Sequence, residues 1–317
     1  MARSDFSLTG QKVFVAGHRG MVGSAIVRRL QREDCAILTA GRDELDLRCQ
    51  AAVEAWMERN RPDAIFIAAA KVGGILANDT YPAEFIFDNL AIQTNLIHAA
   101  WRTGARKLLF LGSSCIYPRE AEQPIGEAAL LTGPLEPTNQ WYAIAKIAGI
   151  KMCQAYRRQY KCDFISAMPT NLYGPGDNFD PLSSHVLPAL LRKIHLARET
   201  GAAAVTIWGT GKPRRELMHV DDLAEALIYM MCHYSGEDHL NVGIGDDIAI
   251  LDLARLIAEV IGYRGGFELD ASKPDGTPRK LLDSSHLRSL GWQPRIGLRE
   301  GIGQTYHWFT DNLAPAK

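Results

Sequence analysis

The chain has 317 residues, 47% of them hydrophobic, and its 35 basic and 36 acidic side chains leave a formal net charge of −1. That length points to a large core with a smaller appended lobe, and the near-neutral balance excludes the electrostatic footprint of a binder of nucleic acid or anionic membrane. The expected partner is a small molecule. No run approaches the apolar length of a membrane-spanning helix, and the start, MARSDFSLTG, lacks a signal peptide's apolar stretch, so a cytoplasmic location is expected. Cys35, Cys49, Cys115, Cys153, Cys162 and Cys232 are scattered without a CxxC pair or a histidine at metal-ligand spacing, which reads as reduced thiols and no metal site.

Taken in chain order, the first half alternates short apolar runs with amphipathic stretches. Strands are predicted at 12–16 (KVFVA), 35–39 (CAILT), 64–70 (AIFIAAA), 107–111 (KLLFL) and 163–168 (DFISAM). Continuous apolar runs of this kind belong to strands buried on both faces, so the fold class is α/β, a doubly wound parallel Rossmann sheet. Residues 84–102 and 142–160 carry apolar side chains at helical spacing broadly enough to bury more than one face. Past about 173 come Gly/Pro-containing loops, a helix near 186–199, a strand at 204–208, helices near 221–234 and 250–261, and a basic loop, KPDGTPRK, at 273–280. The expected division is a cofactor domain of 1–172 and about 215–245, and a smaller α/β substrate lobe of about 173–214 and 246–317.

Lys12 to Gly23 reads KVFVAGHRGMVG, a strand followed by Gly17, Gly20 and Gly23 and a helix opening at Met21. The first glycine permits a tight turn, the second lets backbone approach a pyrophosphate, and the third lets helix pack on strand, with the helix amino terminus facing the anion. An acidic residue at the end of the second strand would accept a ribose 2′-OH, whereas arginine would meet a 2′-phosphate. Here that strand runs into Ala40, Gly41 and Arg42, and Arg42 with Arg19 favours NADP(H). Asp43 is the competing residue, able to hold a 2′-OH if both arginines are merely solvated.

The string GSSCIYP at 112–118 ends an apolar strand on two hydroxyls and a thiol. Tyr142 and Lys146 lie one helical turn apart on the next amphipathic stretch. A tyrosine, ordinarily titrating near ~10, becomes a competent proton donor or acceptor when an ammonium and a positively charged nicotinamide stand beside it, and Ser113 would hydrogen-bond a substrate oxygen where charge develops. Alone, Tyr-x-x-x-Lys is a common helix surface pair. It acquires meaning from following a glycine fingerprint and a strand-end serine in this order.

Together the glycine loop, the strand-end serine and YxxxK resemble the extended short-chain dehydrogenase/reductase family. Longer strings, AGHRGMVGSAI (16–26), AAAKVGGILAN (68–78), KLLFLGSSCIYP (107–118), LEPTNQWYAIAKIAGIK (135–151), MPTNLYGPGDNF (168–179) and DASKPDGTPRKLLD (270–283), are similar to the branch of that family that epimerises and reduces GDP-4-keto sugars. The resemblance implies an NADPH-dependent enzyme that inverts C3 and C5 of GDP-4-keto-6-deoxy-D-mannose and then reduces C4. It implies Cys115 and His185 as the proton-transfer pair, with Ser113 and Tyr142 at the substrate oxygen and Lys146 beside the tyrosine and the nicotinamide ribose. A C4 ketone acidifies both neighbouring C–H bonds, which gives the thiol a task that reduction alone lacks.

By the same resemblance the cofactor meets Gly17, His18, Arg19, Gly20, Met21, Val22, Gly23, Arg42, Asp43, Leu111, Gly112, Ser113, Tyr142, Lys146, Pro169, Asn171, Leu172 and His185. Lys193, Trp208, Arg215 and Asp275 contact the GDP-sugar, and the two long apolar helices form a homodimer. The segment HYSGEDHL before Asn241 is short for the family, which affects loop geometry rather than chemistry. Read without the resemblance, Cys115 fits a small buried hydrophobe and His185 a helix-start residue. Two rival readings remain open at this level: a 4-epimerase or 4,6-dehydratase that regenerates its cofactor, and a non-enzymatic NADP(H)-binding sensor.

Overall fold

The computed structural model describes residues 5–313 except 182 and 274, so the outermost residues of the two expected domains lie outside the described residues. The first part of the chain runs β1 (Lys12–Ala16), α1 (Met21–Leu30), β2 (Ala36–Leu38), α2 (Gln50–Asn60), β3 (Ala64–Ile67), α3 (Ile75–Thr80), α4 (Pro82–Arg102) and β4 (Lys107–Leu111). It continues through α5 (Gln140–Tyr160), β5 (Asp163–Pro169), β6 (Asn171–Tyr173), α6 (Val186–Thr200), β7 (Ala204–Trp208), β8 (Arg214–Arg215), β9 (Leu217–His219) and α7 (Val220–His233). The last part is β10 (Leu240–Val242), β11 (Ile248–Ala249), α8 (Ile250–Ile261), β12 (Gly266–Asp270), β13 (Arg279–Lys280), α9 (Ser285–Ser289) and α10 (Leu298–Asn312).

Six strands form one parallel sheet in the order β10-β5-β4-β3-β1-β2. Alternation along each strand feeds two cores. Val13 and Val15 of β1, with Leu109 and Leu111 of β4, pack against Ile26 and Leu30 of α1 and Leu223 and Leu227 of α7. Phe14 and Ala16, with Leu108 and Phe110, pack on the other side against Met57 of α2, Leu96 of α4 and Ile150 of α5. Both faces are covered, which is why the sequence shows unbroken apolar runs. Full burial of each such side chain stabilises the fold by roughly 1.5–3 kcal/mol.

Two expectations needed adjusting. The predicted strand 64–70 stops at Ile67: Ala68 N–H still donates to the Ala16 carbonyl at 3.0 Å, but β1's chain turns away at Gly17, whose φ is +87°, and leaves 69–70 without a ladder. The amphipathic reading also passed over α2 and α10.

A third core gathers Leu191 and Ile194 of α6, Val205 and Ile207 of β7, Ile257 of α8 and Ile302 of α10. Around it lie a three-stranded sheet, β11-β8-β13, and two pairs, β12-β7 and β6-β9. Since β6 follows β5 directly, the β6-β9 pair joins this lobe to the carboxyl edge of the large sheet. In open parallel sheets that edge is where ligands bind.

Candidate active site

The glycine loop is shaped as its spacing demands. A Cβ on Gly17 would come within 2.6 Å of the Ala69 backbone nitrogen, and one on Gly23 within 2.1 Å of the Gly17 carbonyl oxygen. Neither position has room for a side chain. Gly20 caps α1 with no side-chain hydrogen bond, and the first turn holds no acidic residue, so the helix start is left with its positive end open to an anion. These features fit a dinucleotide pyrophosphate. His18, Met21 and Val22 are half-buried around the helix start, and Arg19 and Arg42 are exposed. Arg19 donates to the Asp43 carboxylate at 3.3 Å across Gly41, in a largely exposed pair, and Arg42 is exposed beside it.

Leu111 finishes β4, and just after it Gly112 N–H donates to the Ala167 carbonyl at 2.9 Å. A Cβ at Gly112 would meet the Met168 sulfur at 2.2 Å. Ser113 then leaves the sheet in extended conformation and caps a single 3-10 turn, its Oγ accepting the Cys115 N–H at 3.5 Å. This cap aims Ser113 and Cys115 towards α5. Pro169 is buried at the end of β5, and Leu172 is half-buried beside Asn171, whose amide donates to the Glu216 carbonyl at 2.9 Å.

Helix α5 seats its own pair. Gly149 allows the helix to lie on Phe110, since a Cβ there would come within 2.3 Å of that ring. Gln93 of α4 donates to the Ala145 carbonyl at 2.6 Å from the other side. Lys146 is buried, its Nζ donating to the Leu111 carbonyl at 2.8 Å, 4.9 Å above the Phe110 ring and 5.7 Å from the Tyr142 ring.

Electrostatics follow from the packing. Burial lowers the Lys146 pKa to about 8. Burial raises that of the Tyr142 phenol, with the nearby Cys115 sulfur adding to the rise and the Ser113 hydroxyl opposing it. Lys146, whose ammonium is held by the Leu111 carbonyl, is not among the groups that shift the phenol here. Tyr142 is therefore a protonated phenol at neutral pH. The Cys115 thiol is pushed up by burial and pulled back by Lys280, Ser113 and Lys146.

His185 caps α6 at the mouth of the site, exposed on one side; the surrounding walls and the Lys280 ammonium lower its pKa. The preceding turn is anchored by Gly74 N–H donating to the Ser183 carbonyl at 3.2 Å. Lys280 is the residue that sequence reasoning passed over. β13 pairs with β8 so that Lys280 stands opposite Arg215, and its charge is felt by both Cys115 and His185. Only the string KPDGTPRK pointed to it.

Farther out, Arg215 donates to the Arg214 and Thr277 carbonyls at 2.8 and 2.7 Å. Trp208 is 62% exposed at the end of β7, with the Lys193 ammonium 5.2 Å and the Lys273 ammonium 5.7 Å from its ring. An exposed indole flanked by cations offers a stacking surface for a base and charge for phosphates. Asp275 is engaged differently: its carboxylate accepts the Thr210 N–H at 2.6 Å and the Thr210 hydroxyl at 2.8 Å, holding the turn after Trp208.

A helix start at α1 shaped for a pyrophosphate, together with Ser113, Tyr142 and Lys146 gathered where β4 meets α5, fits a nicotinamide-dependent enzyme. Residues 13–243 match the profile of the NAD dependent epimerase/dehydratase family, and the chain belongs to that family. Its relatives narrow the class. GDP-L-fucose synthase 1 of Arabidopsis thaliana is 58% identical over 98% of this chain and 96% of its own length, and the GDP-L-fucose synthase of Escherichia coli is 55% identical over 96% and 98%. A crystal structure of a GDP-L-fucose synthetase from Naegleria fowleri bound to NADP superimposes with a TM-score of 0.91 at 29% identity, covering 98% of this chain and 96% of that one.

Proposed function

We propose that the chain is an NADPH-dependent epimerase-reductase that inverts C3 and C5 of GDP-4-keto-6-deoxy-D-mannose and reduces C4 to give GDP-L-fucose. The observation that carries this reading is a buried thiol, Cys115, set two residues from Ser113 and within electrostatic reach of both Tyr142 and Lys146. A reductase alone would need only the latter three.

Bound in the cleft, NADPH supplies the two electrons that reduce C4. Gly17 to Gly23 hold its pyrophosphate, Arg19 and Arg42 its 2′-phosphate, and Lys146 its nicotinamide ribose, while Leu111, Gly112, Pro169, Asn171 and Leu172 wall the ring. Ser113 donates to the C4 oxygen, first as an enolate during epimerisation and then during reduction. Tyr142, kept protonated by burial, delivers its proton to that oxygen as the ketone becomes an alcohol. Cys115 and His185 exchange protons with C3 and C5, one removing and the other returning a proton at each carbon. Lys193, Trp208, Arg215 and Asp275 take the GDP end. The cofactor domain comprises 1–172 and about 215–245, and the substrate lobe about 173–214 and 246–317. We further assign the protein to the cytoplasm and to a homodimer built on α4 and α5, whose Phe87, Trp141 and Ile144 are exposed apolar side chains.

Wild type and Cys115→Ser, supplied with NADPH and the 4-keto sugar in D₂O, test the reading through nicotinamide absorbance and deuterium at C3 and C5. Wild type should consume NADPH and label both carbons, whereas the variant should lose label and release an unepimerised reduced sugar or none. A variant that labels and forms GDP-L-fucose as fast as wild type would reassign the proton transfers. Zero net NADPH consumption by wild type would favour a 4-epimerase or 4,6-dehydratase.

A further inference from the structure

Glu216 lies between β8 and β9, where the chain passes from the small three-stranded sheet to the pair that borders the large one, and it is wholly buried. Its carboxylate accepts the Gly245 N–H at 2.8 Å and the Leu282 N–H at 2.9 Å. Its own N–H donates to the Lys280 carbonyl at 3.3 Å, and its carbonyl accepts the Asn171 amide at 2.9 Å and the Thr170 hydroxyl at 3.4 Å. Gly243 leaves no slack, since a Cβ there would stand 2.3 Å from a carboxylate oxygen of Glu216.

Burying a carboxylate is costly unless its lone pairs are met, and here backbone N–H groups meet them instead of a cation. The segments it joins are the informative part. Asn171 belongs to the wall beside the nicotinamide, and Arg215 and Lys280 form the cationic edge opposite Cys115 and His185, each within two positions of a Glu216 bond. On the other side of the ladder Arg214 and Arg279 both grip the Asp247 carboxylate, which ties the two strands together. Arg215 and Lys280, opposite each other in register, are thereby left on the face away from that clamp.

We propose that Glu216 is a positioning residue: it locks the edge carrying Arg215 and Lys280 to the wall carrying Asn171, and so sets where the sugar sits between Cys115 and the nicotinamide. The inference rests on the epimerase-reductase reading above. A displacement of about 1 Å at such a junction is enough to cost about 100-fold in rate. It would not affect epimerisation and reduction equally, because the reacting carbons differ.

The test is Glu216→Gln beside wild type, with NADPH and GDP-4-keto-6-deoxy-D-mannose in D₂O, rates normalised to the NADPH-binding fraction. The amide keeps the shape but turns an NH₂ on one of the two N–H groups. We expect kcat/KM for the sugar nucleotide to fall about 100-fold, and the share of reduced sugar released without epimerisation to rise several-fold. Unchanged product ratio and KM, whatever the variant's melting temperature, would overturn the proposal and leave Glu216 a purely structural residue. Should Glu216→Gln fail to fold, Thr170→Val removes one bond at the same junction and should shift the product ratio in the same direction; an unchanged ratio there would equally overturn it. An inactive wild type in this assay would instead sink the functional reading, which keeps the two failures apart.

Discussion

The Lys146 ammonium donates to the Leu111 carbonyl at 2.8 Å, tying the helix that carries Tyr142 to the strand that delivers Ser113. Because burial lowers its pKa to about 8, the charge disappears as pH rises through that value. kcat/KM should therefore fall above pH 8, and Lys146→Arg, whose guanidinium stays charged, should be slower but lack that alkaline limb. pH–rate profiles of the two proteins check this. The linkage has a definite sign. An unfolded lysine holds its proton to ~10.4, so between about pH 8 and that value the unfolded chain binds more protons and stability rises with pH. Wild type should accordingly gain stability relative to Lys146→Met from about pH 7 to pH 10, read as denaturation midpoints.

Gly20 and Gly23 stand in the same loop but answer to different constraints. A methyl at Gly23 collides with the Gly17 carbonyl at 2.1 Å, whereas one at Gly20 sits at 3.5 Å from the same oxygen, an ordinary contact. Gly23→Ala should cost about 1–3 kcal/mol of stability as an overpacked site, together with cofactor affinity. Gly20→Ala should keep stability within about 0.5 kcal/mol yet bind NADPH at least about tenfold more weakly, a loss of some 1.4 kcal/mol. Thermal melts and fluorescence titration separate the two; equal stability losses would refute the distinction.

The parts legible in the sequence are those with a local cause. KVFVA and KLLFL became strands where expected because both faces of a parallel strand are covered, and the order of glycine loop, strand-end serine and YxxxK pointed to Ser113, Tyr142 and Lys146 as neighbours, whereas Cys115 entered only through the family resemblance. Lys280 and Glu216 had no such signal. Their roles depend on the register of two-residue strands, Lys280 opposite Arg215, which no hydrophobic period encodes. The α2 segment, QAAVEAWMERN, buries only Val53, Trp56 and Met57, too narrow a stripe to mark it as a helix. Asp275 entered only through the family resemblance, and nothing in its spacing marked it as the clasp of the Thr210 turn.

Phe87 projects from α4 with 67% of its surface exposed, on a helix otherwise packed against α5. If these two helices join a second copy, Phe87→Glu places a charge in an apolar contact and should yield a 35.0 kDa monomer in sedimentation. The monomer should still bind NADPH, because the glycine loop lies on α1. A variant that sediments as wild type does would move the interface elsewhere.

Trp208 and Asp275 lie at the same end of the substrate lobe and separate direct from indirect binding. Trp208→Ala removes a side chain that is 62% exposed, so stability should change by less than about 0.5 kcal/mol. Loss of base stacking, worth about 1–3 kcal/mol, should raise KM for the sugar nucleotide about tenfold or more. Asp275→Ala frees the Thr210 N–H and hydroxyl, and Thr210→Val removes only the hydroxyl half of that clasp. If Asp275 serves the ligand through the turn, the two variants should raise KM together, Thr210→Val by the smaller factor, with kcat little changed. A large KM effect of Asp275→Ala with none from Thr210→Val would mean that the carboxylate leaves Thr210 and touches the nucleotide itself. Steady-state KM values for the three variants, measured at saturating NADPH, decide between these.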